Sequence, residues 1–177
     1  QGAGGAIIPP GTYWPEVQRI CRKYDILLMV AEVISGFGRT GSWFGCDTYG
    51  IVPDIMQLAK GLTSVSTPLS ATIMSDRLAE ALIELGGEWY HGFTFSGHPM
   101  SCAVAIANLR VLQSERIIER AAAEIVPHFA AHIEALADHP LVGDIRSVGL
   151  FAGIQLVKNR ATRDLFPVEL AVGDLEI

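Results

Sequence analysis

The run Ile26-Leu27-Leu28-Met29-Val30-Ala31, closed by the lone carboxylate of Glu32, decides the fold. Six apolar residues without alternation have the length of a strand and the composition of one buried on both faces, as in a parallel sheet covered by helices. Upstream, Trp14, Val17, Ile20, Cys21 and Tyr24 recur at helical spacing around Pro15, which predicts a helix over residues 13–24 with Pro15 at its first position. Helix followed by buried strand predicts an α/β layer. Downstream, Ser35-Gly36-Phe37-Gly38-Arg39-Thr40-Gly41 leads to Trp43, Phe44 and Tyr49, and further strands are predicted near residues 55–59 and 69–74.

Farther along, Asp76 is placed to cap a helix ending near residue 85, with Gly86-Gly87 as its stop signal. A helix beginning after Pro99 and running through Val111-Leu112 is apolar on several sides and is expected to be buried. An amphipathic helix over residues 115–137 carries Pro127 as a kink or break. From Val142 to Val157, Gly143, Gly149 and Gly153 stand between β-formers, which reads as strands of a second, smaller unit.

With 177 residues, half of them hydrophobic and 18% charged, the chain has apolar material for a sizeable core. A net charge of −6, a pI near 5.3 and the lack of any basic run argue against a nucleic-acid partner. Cys21, Cys46 and Cys102 are odd in number and lack C-x-x-C spacing, so they are read as reduced core thiols, with neither a disulfide frame nor a metal site. There is no basic-then-apolar leader and no apolar run of bilayer length, so no membrane partner and a cytoplasmic location are expected. The chain opens at Gln1-Gly2-Ala3-Gly4-Gly5 and stops at Glu176-Ile177, soon after a new segment begins; a fragment of a longer protein is expected.

In Asp54-Ile55-Met56-Gln57-Leu58-Ala59-Lys60-Gly61-Leu62-Thr63, an apolar run delivers one ammonium into a bend of small residues. An amine at the buried end of a strand loses its proton readily and becomes a nucleophile; the alternative is a lysine whose stem reaches from the strand end to solvent. Glu32 stands where α/β sheets place functional groups, beyond the carboxyl end of a strand, or is a solvated carboxylate there. Gly36, Gly38 and Gly41 match the bare spacing of a dinucleotide loop, but Ser42-Trp43-Phe44-Gly45 does not read as the start of a crossover helix, so a structural turn is predicted. His91-Gly92-Phe93-Thr94-Phe95-Ser96-Gly97-His98-Pro99 gathers hydroxyls, imidazoles and glycines just ahead of a helix whose amino end favours an anion, or forms a polar turn with Ser96 or His98 near the helix start.

These blocks, in this order and separation, resemble the class III pyridoxal-phosphate aminotransferases, the ω-aminotransferase family. The resemblance rests on Tyr24 to Leu28, Glu32 to Gly41, Pro53 to Leu62 and His91 to Pro99, and extends from Gln1 to Leu150. It implies a fold-type I large domain, a mostly parallel sheet flanked by helices, in residues 1–112. Residues 113–177 would hold an interdomain helix and the start of a smaller C-terminal α/β domain. It further implies that Lys60 forms the Schiff base with pyridoxal 5′-phosphate, that Val33 packs on the cofactor ring, and that Phe93 and Thr94 belong to the phosphate-contact motif. Thr94 would serve the neighbouring subunit, which makes a homodimer a requirement. Trp43 would lie near the substrate entrance, and Arg39 in loop architecture near the dimer interface. The implied reaction moves an amino group from an ω-amino acid or amine donor to a keto-acid acceptor.

Two positions depart from the family pattern. An Asp that keeps the cofactor's ring nitrogen protonated is expected directly before Glu32-Val33, and here that position is Ala31, so transamination is expected to be slowed. A Gly expected after Ser64 is Val65, which is strained if the position needs a positive φ. Ala31 leaves a second reading open, a non-catalytic scaffold or dimer subunit of the same fold. A nucleotide-binding module, resting only on the glycine loops, ranks behind both.

Overall fold

A computed structural model describes residues 2, 4–86 and 90–167. Helix α1 (Tyr13–Lys23) begins at its predicted start, but Pro15 is its third residue and not its first, still among the leading positions whose N–H groups have no intrahelical acceptor. Trp14, Val17 and Cys21 pack against the buried cluster of Leu28, Val30, Cys46 and Ile51.

Strand β1 (Met29–Ala31) pairs in parallel with β2 (Ile55–Leu58), and β3 (Ala71–Met74) adds antiparallel on the far side of β2. The expectation that β1 is buried on both faces needs correction. Val30, on the α1 side, is 8% exposed, whereas Met29 on the opposite face is 57% exposed. An unbroken apolar run signals what a strand can bury, and among the described residues only one face is covered. At the amino ends, the Leu28 N–H donates to Asp54 Oδ2 at 2.8 Å and Arg77 Nη2 donates to Oδ1 at 2.8 Å. The Arg77 hydrogen bond, then the Leu28 N–H, hold the Asp54 carboxyl below the usual carboxylate range.

Helix α3 (Asp76–Glu84) is entered from Ser75, not capped by Asp76; Asp76 is its first residue, where a carboxylate still complements the helix dipole. Gly86 ends it at φ +64, and Gly87 lies outside the described residues. Helix α4 (Pro99–Ser114) buries only Ser101 and Ala105, against the expectation of a buried helix; Met100, Ile106 and Val111 are exposed.

The predicted third helix is divided. Arg116 takes φ +50 after α4, then α5 (Ile117–Arg120), a π turn at Ala121–Ile125 and α6 (Val126–Glu134) follow. Pro127 has no N–H, and its ring collides with the carbonyl four residues back in a regular helix; the wider turn, in which the Val126 N–H reaches Ala121 O, absorbs both defects.

Strands β4 (Val142–Val148) and β5 (Phe151–Leu156) form an antiparallel hairpin joined through Gly149-Leu150, with Gly149 at φ +58. Its tip rests on the glycine loop: the Leu150 N–H donates to Arg39 O at 2.8 Å, and a Cβ at Gly149 would stand 2.3 Å from the Thr40 carbonyl carbon. No described helix is long and apolar enough to cross a membrane.

Candidate active site

The parallel pairing sets the carboxyl ends of β1 and β2 side by side, with the Glu32 N–H donating to Gln57 O at 2.9 Å. By register Ala31, Gln57 and Thr72 share one face of the sheet, and all three are exposed.

Glu32 is 3% exposed and acts as scaffold. Its carboxylate accepts from the Gly45 N–H at 2.9 Å, the Cys46 N–H at 2.7 Å and Ser35 Oγ at 2.5 Å. It thereby holds the start of the short helix α2 (Gly45–Tyr49), which follows the glycine loop. The same geometry excludes a phosphate there, since the two N–H groups that would bind an anion already hold one. Burial, followed by the nearby charges of Glu32 and Asp47, pushes the Cys46 thiol up to about 12, so it is an inert core group.

The glycine loop is a turn, as its sequence predicts. Gly38 and Gly41 take φ +92 and +89, and the N–H groups of Phe37 and Gly38 donate to Trp43 O at 2.6 Å and Ser42 O at 3.1 Å. The loop packs on the turn that follows β2. A Cβ at Gly61 would stand 2.8 Å from Phe37 Cβ and Cδ2, so Phe37 packs directly on the residue after Lys60.

Lys60 opens a 3₁₀ turn, Lys60–Thr63, at the end of β2, and its side chain is exposed. The sequence reading of a buried amine is therefore corrected for the described chain: the covering atoms are not contributed by these residues. Lys60 has φ +42, Ser64 +49 and Val65 +62, so the expected strain at Val65 is present, in a β-branched residue that is 77% exposed.

Five polar residues whose role here sequence reasoning passed over support this turn. From α4, Asn108 Nδ2 donates to Gly61 O at 2.9 Å and Leu62 O at 3.1 Å, and Ser64 Oγ donates to Asn108 Oδ1 at 2.7 Å. Buried Thr63 donates through Oγ1 to Thr67 O at 2.8 Å, and Thr67 Oγ1 pairs with Ser101 Oγ at 3.0 Å. A lone amide in Ala105-Ile106-Ala107-Asn108-Leu109 was the available signal for the first.

Residues 91–98 form an exposed loop. The Phe93 N–H donates to Ser96 Oγ at 2.8 Å, the Ser96 N–H returns to Phe93 O at 2.9 Å, and His98 takes the cap position of α4. Phe93 and Thr94 are exposed on this loop, while half-buried Val33 and exposed Ala31 flank Glu32 at the carboxyl end of β1. Trp43 lines an open groove of about 610 Å³ with Ser42, Asp47 and Ile118; Lys60 does not line it.

The donor set fits pyridoxal phosphate in part. A primary amine at a strand end suits an aldehyde, and hydroxyls on a loop ahead of a helix suit a phosphate. A methyl group at Ala31 does not suit a pyridine nitrogen that must stay protonated.

The chain matches the model of the family described as Aminotransferase class-III over residues 1–173. It is 54% identical over 166 residues to the putrescine–pyruvate aminotransferase of Pseudomonas aeruginosa, covering 94% of this chain and 36% of that protein. A probable mitochondrial gamma-aminobutyrate transaminase 3 of Oryza sativa subsp. indica is 45% identical, with 98% and 34% covered. Among solved structures, a thermostable (S)-enantioselective omega-transaminase from Thermomicrobium roseum superposes with a TM-score of 0.91 at 45% identity, over 98% of this chain and 38% of that one. The chain thus spans little more than a third of the length of these relatives.

Proposed function

This chain belongs to the class-III aminotransferase family, and from that premise we propose that it is part of a pyridoxal-phosphate-dependent transaminase. Its amino donor is an ω-amino acid or amine and its acceptor a keto acid such as pyruvate; the names of the relatives, with putrescine, pyruvate and gamma-aminobutyrate, support those classes. The observation that carries the reading is the single amine of Lys60, set on a fixed turn at the carboxyl end of β2, next to the end of β1.

Pyridoxal phosphate, when bound, supplies the sink for the electron pair released at the substrate Cα. Lys60 would hold the cofactor covalently through its side-chain amine, and the same amine, when free, would serve as the base that moves a proton from the substrate Cα. Val33 gives an apolar surface for one face of the ring. Phe93 and Thr94 would serve the phosphate of the cofactor in a second copy, so a homodimer belongs to the proposal. The second copy and flanking sequence provide the burial that Lys60 lacks among the described residues. Residues 1–112 are assigned to the large domain and 113–177 to the start of the small one, a division supported by the separation of the strands into two sheets. A cytoplasmic location, inferred from the unpaired cysteines, is part of the same proposal.

The test uses the full-length protein incubated with cofactor, reduced with borohydride and digested. The label is expected on the peptide containing Lys60 and absent in Lys60→Ala; a label retained in that variant rejects the assignment. Ala31 favours a second reading, a scaffold that holds cofactor without turnover. A31D is expected to raise the half-reaction rate on the order of a hundredfold, the equivalent of one charged hydrogen bond of ~2–3 kcal/mol. No measurable half-reaction in either form, with the label still on Lys60, selects the scaffold.

A further inference from the structure

We propose that Asn108 is a positioning residue for Lys60, fixing the backbone from which the lysine side chain departs without touching the amine itself. The inference rests on the reading of Lys60 given above. Asn108 stands in an otherwise apolar stretch of α4, yet the hydrogen bonds of its carboxamide go to the turn after β2: two donated to the carbonyls of Gly61 and Leu62, one accepted from Ser64 Oγ. A carboxamide is the side-chain group that donates twice and accepts once in one plane. The isosteric carboxylate loses both donors and sets lone pairs against two carbonyl oxygens, whereas an aliphatic side chain loses all three bonds.

The turn needs such a clamp because its backbone is not self-sustaining. Lys60, Ser64 and Val65 have positive φ without being glycine, a state that persists only where the surroundings over-determine it. Phe37 closes one approach to Gly61, and Asn108 holds the carbonyls of Gly61 and Leu62. The bond from Thr63 Oγ1 to Thr67 O anchors the far end. A long flexible stem thus starts from a fixed Cα, the condition for an amine that must reach one carbon and then carry a proton between two.

The test compares full-length wild type, Asn108→Asp, Ser64→Ala and Lys60→Ala. Asn108→Asp is expected to lower kcat about tenfold with less than a twofold change in the KM of the amine donor. In the cofactor-free protein it is expected to speed hydrogen exchange at amides 61–65 about tenfold while the rest of α4 is unchanged. It is also expected to shift the pH midpoint of the bound-cofactor absorbance. Unchanged kcat and unchanged exchange at 61–65 overturn the proposal, and so does faster exchange spread along α4 with kcat intact. If Asn108→Asp does not fold, Ser64→Ala decides: a threefold or greater loss of kcat with exchange altered only at 61–65 supports the clamp, and no change overturns it. Borohydride labelling separates the two layers. Label lost in Lys60→Ala but a silent Asn108→Asp removes this inference alone, whereas label retained in Lys60→Ala removes the functional reading and this inference with it.

Discussion

Glu32 satisfies two buried backbone donors and one hydroxyl with a single carboxylate, so its removal does not simply delete a contact. Glu32→Ala leaves the N–H groups of Gly45 and Cys46 without acceptors, at about 1–3 kcal/mol each. Denaturant unfolding is expected to show at least that much loss. Val65 argues in the opposite direction. It is β-branched, exposed and held at φ +62, where an L-residue costs roughly 1–2 kcal/mol and its side chain gains little from packing. Part of that relief is offset by the greater freedom of glycine in the unfolded chain. Val65→Gly is therefore expected to raise stability by about 1 kcal/mol, read from the same unfolding curves, with α4 contacts to Gly61 and Leu62 intact.

At the scale of elements, the hairpin of β4 and β5 is tied to the glycine loop through its tip. Gly149 has no room for a side chain against Thr40 and takes a φ that alanine disfavours, so Gly149→Ala is expected to separate hairpin from loop. Exchange at the Leu150 amide, which donates to Arg39 O, is expected to rise by more than tenfold while the β4–β5 ladder amides stay protected. The elements themselves were legible because each rests on local periodicity: Trp14, Val17 and Cys21 for α1, residues 55–58 for β2, and glycines at turns for the hairpin. Their covering was not. The run of residues 26–31 states how apolar a strand is, not how much of the surrounding layer is present, and the same holds for the apolar faces of α4. In the proposed site, Lys60 and Ala31 stand out in the sequence because an amine and a missing acid are matters of residue type. Glu32 was misread in part because its partners, the N–H groups of Gly45 and Cys46, carry no side-chain signature. Asn108 was passed over because its role depends on a contact 46–47 residues away in sequence. The π turn before Pro127 was foreseeable only as a break, since the way a helix absorbs a proline depends on which hydrogen bond it gives up.

At the scale of the molecule, one loop leaves two aromatic rings in water. Phe93 and Phe95 are 76% and 78% exposed on one loop, with Met100 on the following turn of α4 also exposed. A soluble protein rarely presents such a group without a partner surface. The proposed homodimer supplies one, because a loop bearing Thr94 that serves a second copy must lie at the contact between copies. Burying a phenylalanine contributes about 1.5–3 kcal/mol, so the double substitution Phe93→Ala/Phe95→Ala is expected to raise the dimer dissociation constant of the full-length protein by at least about a hundredfold. Sedimentation equilibrium measures that constant directly, and cofactor retention at high dilution is expected to fall with it. If instead a flanking segment of the same chain covers the loop, the substitutions lower the unfolding temperature and leave the dissociation constant unchanged. That result would detach Thr94 from the neighbouring site and return the whole cofactor cradle to one copy.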